Sequence, residues 1–219
     1  MTGGLALYVY GSGGHGKVVA DAALAGHGYA LRGFLDDDPS RLGQSLLGLF
    51  VEGGLEAIDG RQGRVVVALG VGLNAARLAV FRRLIAAGHT VVSVVHPSAV
   101  VASGAVLGSG TFVAPLAVVH TDARVGRACI VNTGAVIEHD SVLGEGVHVS
   151  PNAAIGGEVR LGDEVHVGLG AVVLPRIAIG ARSVVGAGAA VAADVPEDVT
   201  VVGVPARRLG AHRVTVTQE

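Results

Sequence analysis

The stretch VNTGAVIEHDSVLGEGVHV, residues 131–149, places an aliphatic residue at every sixth position and decides the fold. The same spacing continues without a break in both directions, and every anchor is Val, Ile or Leu. The anchors are Val95, Val101, Leu107, Val113, Val119, Val125, Val131, Ile137, Leu143, Val149, Ile155, Leu161, Val167, Val173, Ile179, Val185 and Val191. A fixed six-residue period predicts a solenoid of parallel β-strands whose coils bury these anchors.

The residue four places after each anchor is expected where the chain turns and space is tight. Most of these residues are small, and the rest are β-branched: Val147, Val159, Val165, Ile177 and Val195. Glycine often follows the anchor directly, and we expect it to supply turn conformations at little steric cost. Because a solenoid is a scaffold, the repeat by itself predicts no chemistry.

The first 94 residues instead alternate strand and helix patterns. They predict strands at 5–10, 31–35, 65–69 and 90–94, and helices at 17–25 and 74–87. Such alternation indicates a small parallel sheet covered by helices. We therefore predict a small α/β (βαβ, Rossmann-like) domain over 1–94, a parallel β-helix over 95–196, and a closing segment and tail over 197–219.

Composition excludes several classes of protein. The net charge of −2 and the lack of any Lys/Arg run argue against nucleic-acid binding. The single cysteine, Cys129, cannot form an internal disulfide, and no signal peptide is evident, so we expect a cytoplasmic protein. Residues 84–121 lack Asp, Glu, Lys and Arg, but Gly, Ser, Pro and His interrupt them, which predicts no membrane span. No metal cluster is expected, and Cys129 takes an inward position unsuited to a nucleophile.

A glycine-rich loop lies between the first strand and the first helix. Gly11, Gly13 and Gly16 fit the pattern G-x-G-x-x-G, and Asp36 follows about 20 residues later. The pattern alone suggests a nicotinamide oxidoreductase, but the domain is too short for both halves of a dinucleotide fold. One βαβ unit can still hold a nucleotide, with phosphate at the helix N-terminus. The alternatives are a tight turn for the glycines, a solvated turn for the acids before Pro39, and a solvent-facing Lys17.

Three features together resemble the hexapeptide-repeat acyltransferases. The hexads have the form [V/I/L]-G-x-x-[small]-x, and VGVPAR at 202–207 is similar to the family's closing motif. The start, YVYGSGGHGKVV at 8–19, resembles the sialic-acid O-acetyltransferase and nucleotide-aminosugar N-acetyltransferase group, particularly its UDP-4-amino-4,6-dideoxysugar branch of bacillosamine synthesis. The resemblance implies a left-handed β-helix with 18-residue, three-sided coils, acetyl-CoA as co-substrate, and a homotrimer with its site between subunits.

The resemblance also implies a nucleotide-sugar site in the N-terminal domain. Gly13, Gly14 and His15 match the substrate-contacting loop, Asp36 and Asp37 match nucleoside-contacting acids, and Gly70 matches a further contact. The neighbouring loop residues complete the predicted substrate site: Gly11, Ser12 and Lys17.

The predicted catalytic residue is His139, at the third place of its hexad, where side chains should point outwards. Acyl transfer to an amine needs a base, and histidine titrates near neutral pH. In the family this histidine is the base, and the following acid, here Asp140 where relatives can carry Glu, raises its basicity. Without the resemblance, a surface histidine beside a surface aspartate would explain both residues.

The 18-residue coil places Gly157 on the rung next to His139, about 4.8 Å away. The resemblance assigns the Gly157 backbone to the acetyl-CoA thioester carbonyl, where it could also stabilise an oxyanion. It assigns further acetyl-CoA contacts to His148, Leu169 and Ala187. Arg207 could meet CoA phosphates or belong to a solvated tail.

These residues predict direct N-acetylation of the 4-amino group of a nucleotide-linked 4-amino-4,6-dideoxysugar, with His139 as general base. The alternatives are an O-acetyltransferase acting on sialic acid or another sugar hydroxyl, and a non-catalytic nucleotide-binding trimer. The nucleotide base and the sugar stay open at this point.

Overall fold

The computed structural model describes residues 5–26, 28–61 and 63–209. Its N-terminal part contains a four-stranded parallel sheet, in the order β2-β1-β5-β6. Its elements are β1 (Leu5–Tyr10), α1 (Gly14–Ala25), β2 (Tyr29–Leu35), β3 (Ser45–Leu46), β4 (Leu49–Phe50), β5 (Val65–Leu69), α2 (Asn74–Ala86) and β6 (Thr90–Val91). Strands β3 and β4 form an antiparallel hairpin, and two short 3-10 helices cover Pro39–Arg41 and Leu55–Ile58.

The sheet is covered on both faces. In β1, Leu7 and Val9 pack with α1, whereas Tyr8 and Tyr10 pack on the side of α2. A strand buried on both faces needs apolar residues at successive positions, which is why β1 and β5 are continuous apolar runs.

Four predicted boundaries in this part need correction. Helix α1 begins at Gly14 rather than residue 17, because packing around the glycines holds a first turn that propensity alone disfavours. Strand β2 begins at Tyr29 rather than residue 31, and α2 ends at Ala86 rather than residue 87. The predicted strand 90–94 ends at Val91, and Val94 pairs instead with the β-helix.

From Val94 the chain winds into three parallel sheets, which confirms the left-handed β-helix. Face 1 contains Val94–Val95, Phe112–Val113, Ile130–Val131, His148–Val149, His166–Val167, Val184–Val185 and Thr200–Val202, closed by the antiparallel strand Arg207–Arg208. Face 2 contains Val100–Val101, Val118–Val119, Val136–Ile137, Ala154–Ile155, Val172–Val173 and Ala190–Val191. Face 3 contains Val106–Leu107, Arg124–Val125, Val142–Leu143, Arg160–Leu161 and Ala178–Ile179.

The anchors fill the interior of the coils, as the period predicts. From Val113 onwards every anchor is buried. Val101 and Leu107 are only partly buried, and Val95 is 39% exposed. The first coil therefore forms an open end, because no described coil stacks on its outer side.

The glycines that follow the anchors have a different role from the one expected. A Cβ atom on Gly108 would lie 2.6 Å from the nitrogen of Arg127, and one on Gly126 would lie 2.4 Å from the oxygen of Gly144. These glycines therefore allow neighbouring coils to stack closely. The left-handed turn conformation occurs two residues later, as at Asp140 with φ of 60° and Gly146 with φ of 66°.

The last hexad is shorter than predicted. Val195 pairs with Ile179, and Val201 pairs with Val185, so both offsets are 16 residues rather than 18. Val195 therefore takes an anchor position and not the small-residue position four places after Val191. The left-handed Asp198, three residues after Val195, follows from the same shift.

The N-terminal part packs against face 1 and against the corner between faces 3 and 1, here called the 3–1 corner. Phe112 and Ile130 of face 1 join the apolar cluster on the α1 side of the sheet, and Ala128 of the corner joins the cluster on the α2 side. This contact places the glycine-rich loop above face 1. In the described ranges, no helix is both long and apolar enough to cross a bilayer.

Candidate active site

The glycine-rich loop closes tightly on the loop that follows β5. A Cβ atom on Gly16 would lie 2.0 Å from the oxygen of Gly11, and one on Gly70 would lie 2.7 Å from the Cα of Gly16. Gly11 also has a positive φ of 107°. By contrast, Cβ atoms on Gly13 and Gly14 would meet nothing within 4 Å. Close packing of the two loops therefore explains why Gly11, Gly16 and Gly70 are glycines. It does not explain Gly13 and Gly14, which leave open space in front of the loop.

Asp36, at the end of β2, holds this loop. Its Oδ2 accepts hydrogen bonds from the Ser12 amide at 2.8 Å and the Ser12 hydroxyl at 2.5 Å, and its Oδ1 accepts one from the Asp38 amide. Burial acts to raise the pKa of Asp36, but these hydrogen bonds and Arg41 lower it overall. Asp36 is therefore an ionised loop anchor, and its predicted nucleoside contact stays a prediction.

Asp37 belongs to a second polar group beside the loop. Its carboxylate accepts hydrogen bonds from Tyr10 and from Arg83, the latter at 2.7 Å. Partial burial and the charges of Asp36 and Glu56 raise the pKa of Asp37. A cleft of about 160 Å³ opens here, lined by Asp36, Asp37, Asp38, Pro39, Leu42, Gly53, Gly54 and Glu56.

Three histidines lie where the loop meets face 1. His15 packs edge-on against Phe112, with ring centroids 5.4 Å apart, and burial lowers its pKa to about 4. His148 and His166 occupy adjacent coils, with ring centroids 4.8 Å apart. Burial, with His166, Arg77 and His15 nearby, lowers the pKa of His148 to about 2. His15 and His148 are therefore neutral imidazoles at neutral pH.

His139 lies at the corner between faces 2 and 3, here called the 2–3 corner, and is exposed as its hexad position predicts. Its Nδ1 lies 2.8 Å from Oδ2 of Asp140. This hydrogen bond raises the pKa of His139, with additional help from the charges of Glu138 and Glu158. A Cβ atom on Gly157 would lie 2.7 Å from Nε2 of His139, so the imidazole extends over this glycine.

The three predicted backbone contacts for acetyl-CoA share one property. Gly157, Leu169 and Ala187 all occupy the third place of a hexad, and their amides donate no hydrogen bond within the described ranges. Leu169 and Ala187 are exposed and lie one coil apart. The amides of Leu169 and Ala187 are therefore accessible to a ligand, whereas Gly157 is buried beneath the imidazole of His139. Arg207 lies exposed in the closing strand rather than in a tail, and it donates to the oxygen of Ala206.

Within one chain the predicted residues do not converge, and Leu169 and Ala187 lie by themselves at the corner between faces 1 and 2. The loop, Asp36, Asp37, Gly70 and His148 lie on the side of face 1, whereas His139, Asp140 and Gly157 lie at the 2–3 corner. In a three-sided coil this corner is opposite face 1. One copy of the chain therefore does not bring the predicted base to the predicted substrate loop.

The sequence reasoning missed Arg77 and Asn74, two buried polar residues of α2 that contact the β-helix. The available signal was the column of small residues at the 3–1 corner, Gly110, Ala128 and Gly146, spaced 18 apart.

Lys17 is exposed on α1. Burial raises the pKa of Cys129 to about 12, which does not suit a nucleophile. Among the described residues, no group of three or more His, Cys, Asp or Glu could hold a metal ion.

Comparisons with known proteins agree with this architecture. The family profile of the PglD N-terminal domain matches residues 6–84. A variant of perosamine N-acetyltransferase from Caulobacter crescentus, solved with CoA and GDP-perosamine, is 36% identical over 96% of this chain and 98% of its own, with a TM-score of 0.88. The acetyltransferase domain of PglB from Neisseria gonorrhoeae FA1090 is 34% identical over 94% of this chain and 100% of its own, with a TM-score of 0.87. The comparison with curated proteins found no match.

The coils define a left-handed β-helix, and the similar structures place it among the acetyltransferases. Given the identity over nearly the full length of both relatives, the chain belongs to the hexapeptide-repeat family of nucleotide-aminosugar N-acetyltransferases. The predicted enzyme class is confirmed. The nicotinamide oxidoreductase that the glycine pattern alone suggested is wrong.

Proposed function

We propose that this enzyme transfers an acetyl group from acetyl-CoA to the 4-amino group of a nucleotide-linked 4-amino-4,6-dideoxysugar. The observation that carries the proposal is the exposed His139, hydrogen-bonded to Asp140 and extended over Gly157. Two similar structures carry CoA and an amino-sugar nucleotide, GDP-perosamine, in agreement with this chemistry.

The geometry suggests how the transfer proceeds. With Nδ1–H donating to Asp140, Nε2 carries the lone pair that accepts a proton from the sugar amine. The amine nitrogen forms a bond to the thioester carbonyl carbon, and the carbon–sulfur bond breaks to release CoA. The Gly157 amide donates no hydrogen bond within the described ranges and lies beside the imidazole, which supports a role in binding the carbonyl oxygen as its negative charge develops.

A homotrimer would complete this site. The substrate loop and the base lie on opposite sides of one coil, so a second copy must bring its loop or its 2–3 corner to the first. Exposed aliphatic side chains on faces 2 and 3 and at the corner between faces 1 and 2 support such contacts: Val100, Val106, Leu116, Val142 and Val172. In this assembly, acetyl-CoA would lie between subunits, against the free amides.

A substrate screen tests the proposed reaction. We expect CoA release with UDP- or GDP-linked 4-amino-4,6-dideoxysugars and an amide product, identified by mass spectrometry and NMR. Free sialic acid and 4-hydroxy sugar nucleotides are the matched acceptors without the amine. Faster acetylation of a hydroxyl acceptor would establish an O-acetyltransferase instead. Failure to bind acetyl-CoA by calorimetry would favour a non-catalytic nucleotide-binding trimer.

Replacing Asp140 by Asn should shift the pH profile. The neutral imidazole is the active form, so kcat/KM rises with pH through the pKa of His139 in the free enzyme. Because Asp140 raises that pKa, Asp140→Asn should move the acidic limb to lower pH. The weaker base should also lower the plateau by about tenfold or more. An acidic limb at the same pH in both proteins would contradict the pairing.

A further inference from the structure

Helix α2 lies along the 3–1 corner of the β-helix, where each coil makes a left-handed turn. The turn residues Ala128, Gly146 and Glu164 follow one another at 18-residue spacing, with φ of 52°, 66° and 58°. No described backbone amide donates to the carbonyl oxygens of these three residues. In an uncovered corner, water would satisfy them, but the N-terminal part covers this one and must supply donors.

Two side chains on one face of α2 supply those donors. Arg77 donates through Nε to the oxygen of Ala128 at 2.7 Å and through Nη2 to the oxygen of Gly146 at 2.8 Å. Asn74 donates through Nδ2 to the oxygen of Glu164 at 2.9 Å, and its Oδ1 accepts from Arg77 at 3.0 Å. The pair therefore binds the carbonyls of three successive coils, and a displacement along the coil axis by part of a coil would break its contacts with them.

The other side of the same guanidinium binds the substrate-loop region. Nη1 of Arg77 donates to the oxygen of Gly72 at 2.6 Å and to that of Val71 at 3.3 Å. These residues follow Gly70, which packs against Gly11 and Gly16 of the glycine-rich loop. One side chain thus joins the loop that faces the substrate to the turns of the β-helix.

The burial of Arg77 shows that this position requires an arginine side chain. Its side chain is 1% exposed, and no described carboxylate forms an ion pair with it. Burial lowers its pKa to about 10, so it still carries its charge at neutral pH. Its hydrogen bonds in the described residues all go to neutral carbonyl oxygens, and a planar group with five N–H donors can bind all of them together. Lysine offers three donors from a single atom.

We propose that Arg77, held by Asn74, is a positioning residue that sets where the nucleotide-sugar loop lies along the coil axis, and hence where the sugar amine meets the acetyl group. The inference rests on the proposed function. Arg77 acts through the Gly70–Gly72 loop, and none of its hydrogen bonds goes to a predicted acetyl-CoA contact.

The test uses Arg77→Lys in the full chain, with Arg82→Lys as the matched control. Arg82 lies on the same helix, is mostly exposed and forms an ion pair with Glu145 at 3.9 Å. For Arg77→Lys we expect a fall in kcat of about tenfold to a hundredfold, as small misplacements of reacting groups produce. The KM for the nucleotide-sugar should rise, while acetyl-CoA affinity by calorimetry stays unchanged. Arg82→Lys should leave all three values unchanged.

Thermal unfolding separates positioning from a purely structural role. If Arg77→Lys lowers the Tm but leaves kcat and both substrate constants unchanged well below the Tm, the proposal is wrong. If that variant does not fold, Asn74→Ala, which keeps Arg77, should raise the KM for the nucleotide-sugar alone, and an unchanged KM would overturn the proposal. If the wild type transfers no acetyl group, that result contradicts only the proposed function. The variants are then compared by calorimetry, through their affinities for the nucleotide-sugar and for acetyl-CoA.

Discussion

His139→Asn is expected to lower kcat by about 10²- to 10⁴-fold, which is the usual contribution of a general base. The amine must lose a proton as it attacks, and an Asn amide cannot accept that proton at any accessible pH. The side chain is exposed, so its loss should not disturb the anchors inside the coil. Steady-state kinetics with acetyl-CoA and an amino-sugar nucleotide measure the effect, with acetyl-CoA affinity expected to stay within a few-fold of the wild type.

The matched control for this variant is His96→Asn. His96 lies in the first coil, where its Nδ1 is 2.8 Å from the hydroxyl of Ser98, and the smaller Asn can make a similar local contact. We expect wild-type turnover for His96→Asn. Undiminished turnover in His139→Asn would show that His139 is a surface residue and that the base lies elsewhere.

Gly16→Ala is expected to unfold or loosen the glycine-rich loop, at a cost of about 3 kcal/mol in the free energy of unfolding. The added Cβ would lie 2.0 Å from the carbonyl oxygen of Gly11 and 2.9 Å from its carbon. That backbone cannot move freely, because the Gly11 amide donates to Leu35 and the Gly70 amide donates to Tyr10, both at 2.7 Å. Thermal or urea unfolding measures the loss, and nucleotide-sugar affinity should fall with it.

Gly13→Ala is the matched control for Gly16→Ala, because it separates an effect on ligand binding from an effect on folding. Gly13 has φ of −77°, which any residue adopts, and a Cβ there would meet nothing within 4 Å. Because Gly13 is the N-cap of α1, where Ala is less favourable than Gly, stability should fall by about 1 kcal/mol or less, well below the loss in Gly16→Ala. If the open space in front of the loop holds the nucleotide-sugar, its affinity should still fall. If Gly13→Ala binds the nucleotide-sugar as tightly as the wild type, the loop is a turn that binds no ligand.

The β-helix could be predicted almost completely, because its cause is local and repeats. Each anchor must be apolar to line the coil, and the period needs no knowledge of distant contacts. The errors came from stacking between coils. The glycines after the anchors are required because the backbone of the next coil lies too close for a Cβ atom. The last hexad is two residues short, and only the pairing of Val195 with Ile179 shows this.

The candidate site could be predicted only in part. The 18-residue coil correctly placed His139 against Gly157, since both lie at the same place of neighbouring coils. The packing of His15 against Phe112 and the separation of His139 from the loop could not be predicted. Both features depend on which corner of the coil the α/β part covers, and no local sequence pattern predicts that corner.

The six-residue period by itself determined the coil and the hexad place of the residues before the shortened last hexad, because strand periodicity acts over six residues; the three faces followed from the family resemblance. Tertiary structure alone decided how the glycine-rich loop and the loop after β5 are held against the β-helix. Arg77 and Asn74 lie in an ordinary helical stretch, and their function depends on carbonyls 51 to 90 residues further along the chain. Those carbonyls need donors only because the N-terminal part shields them from water, which is a property of the assembled fold.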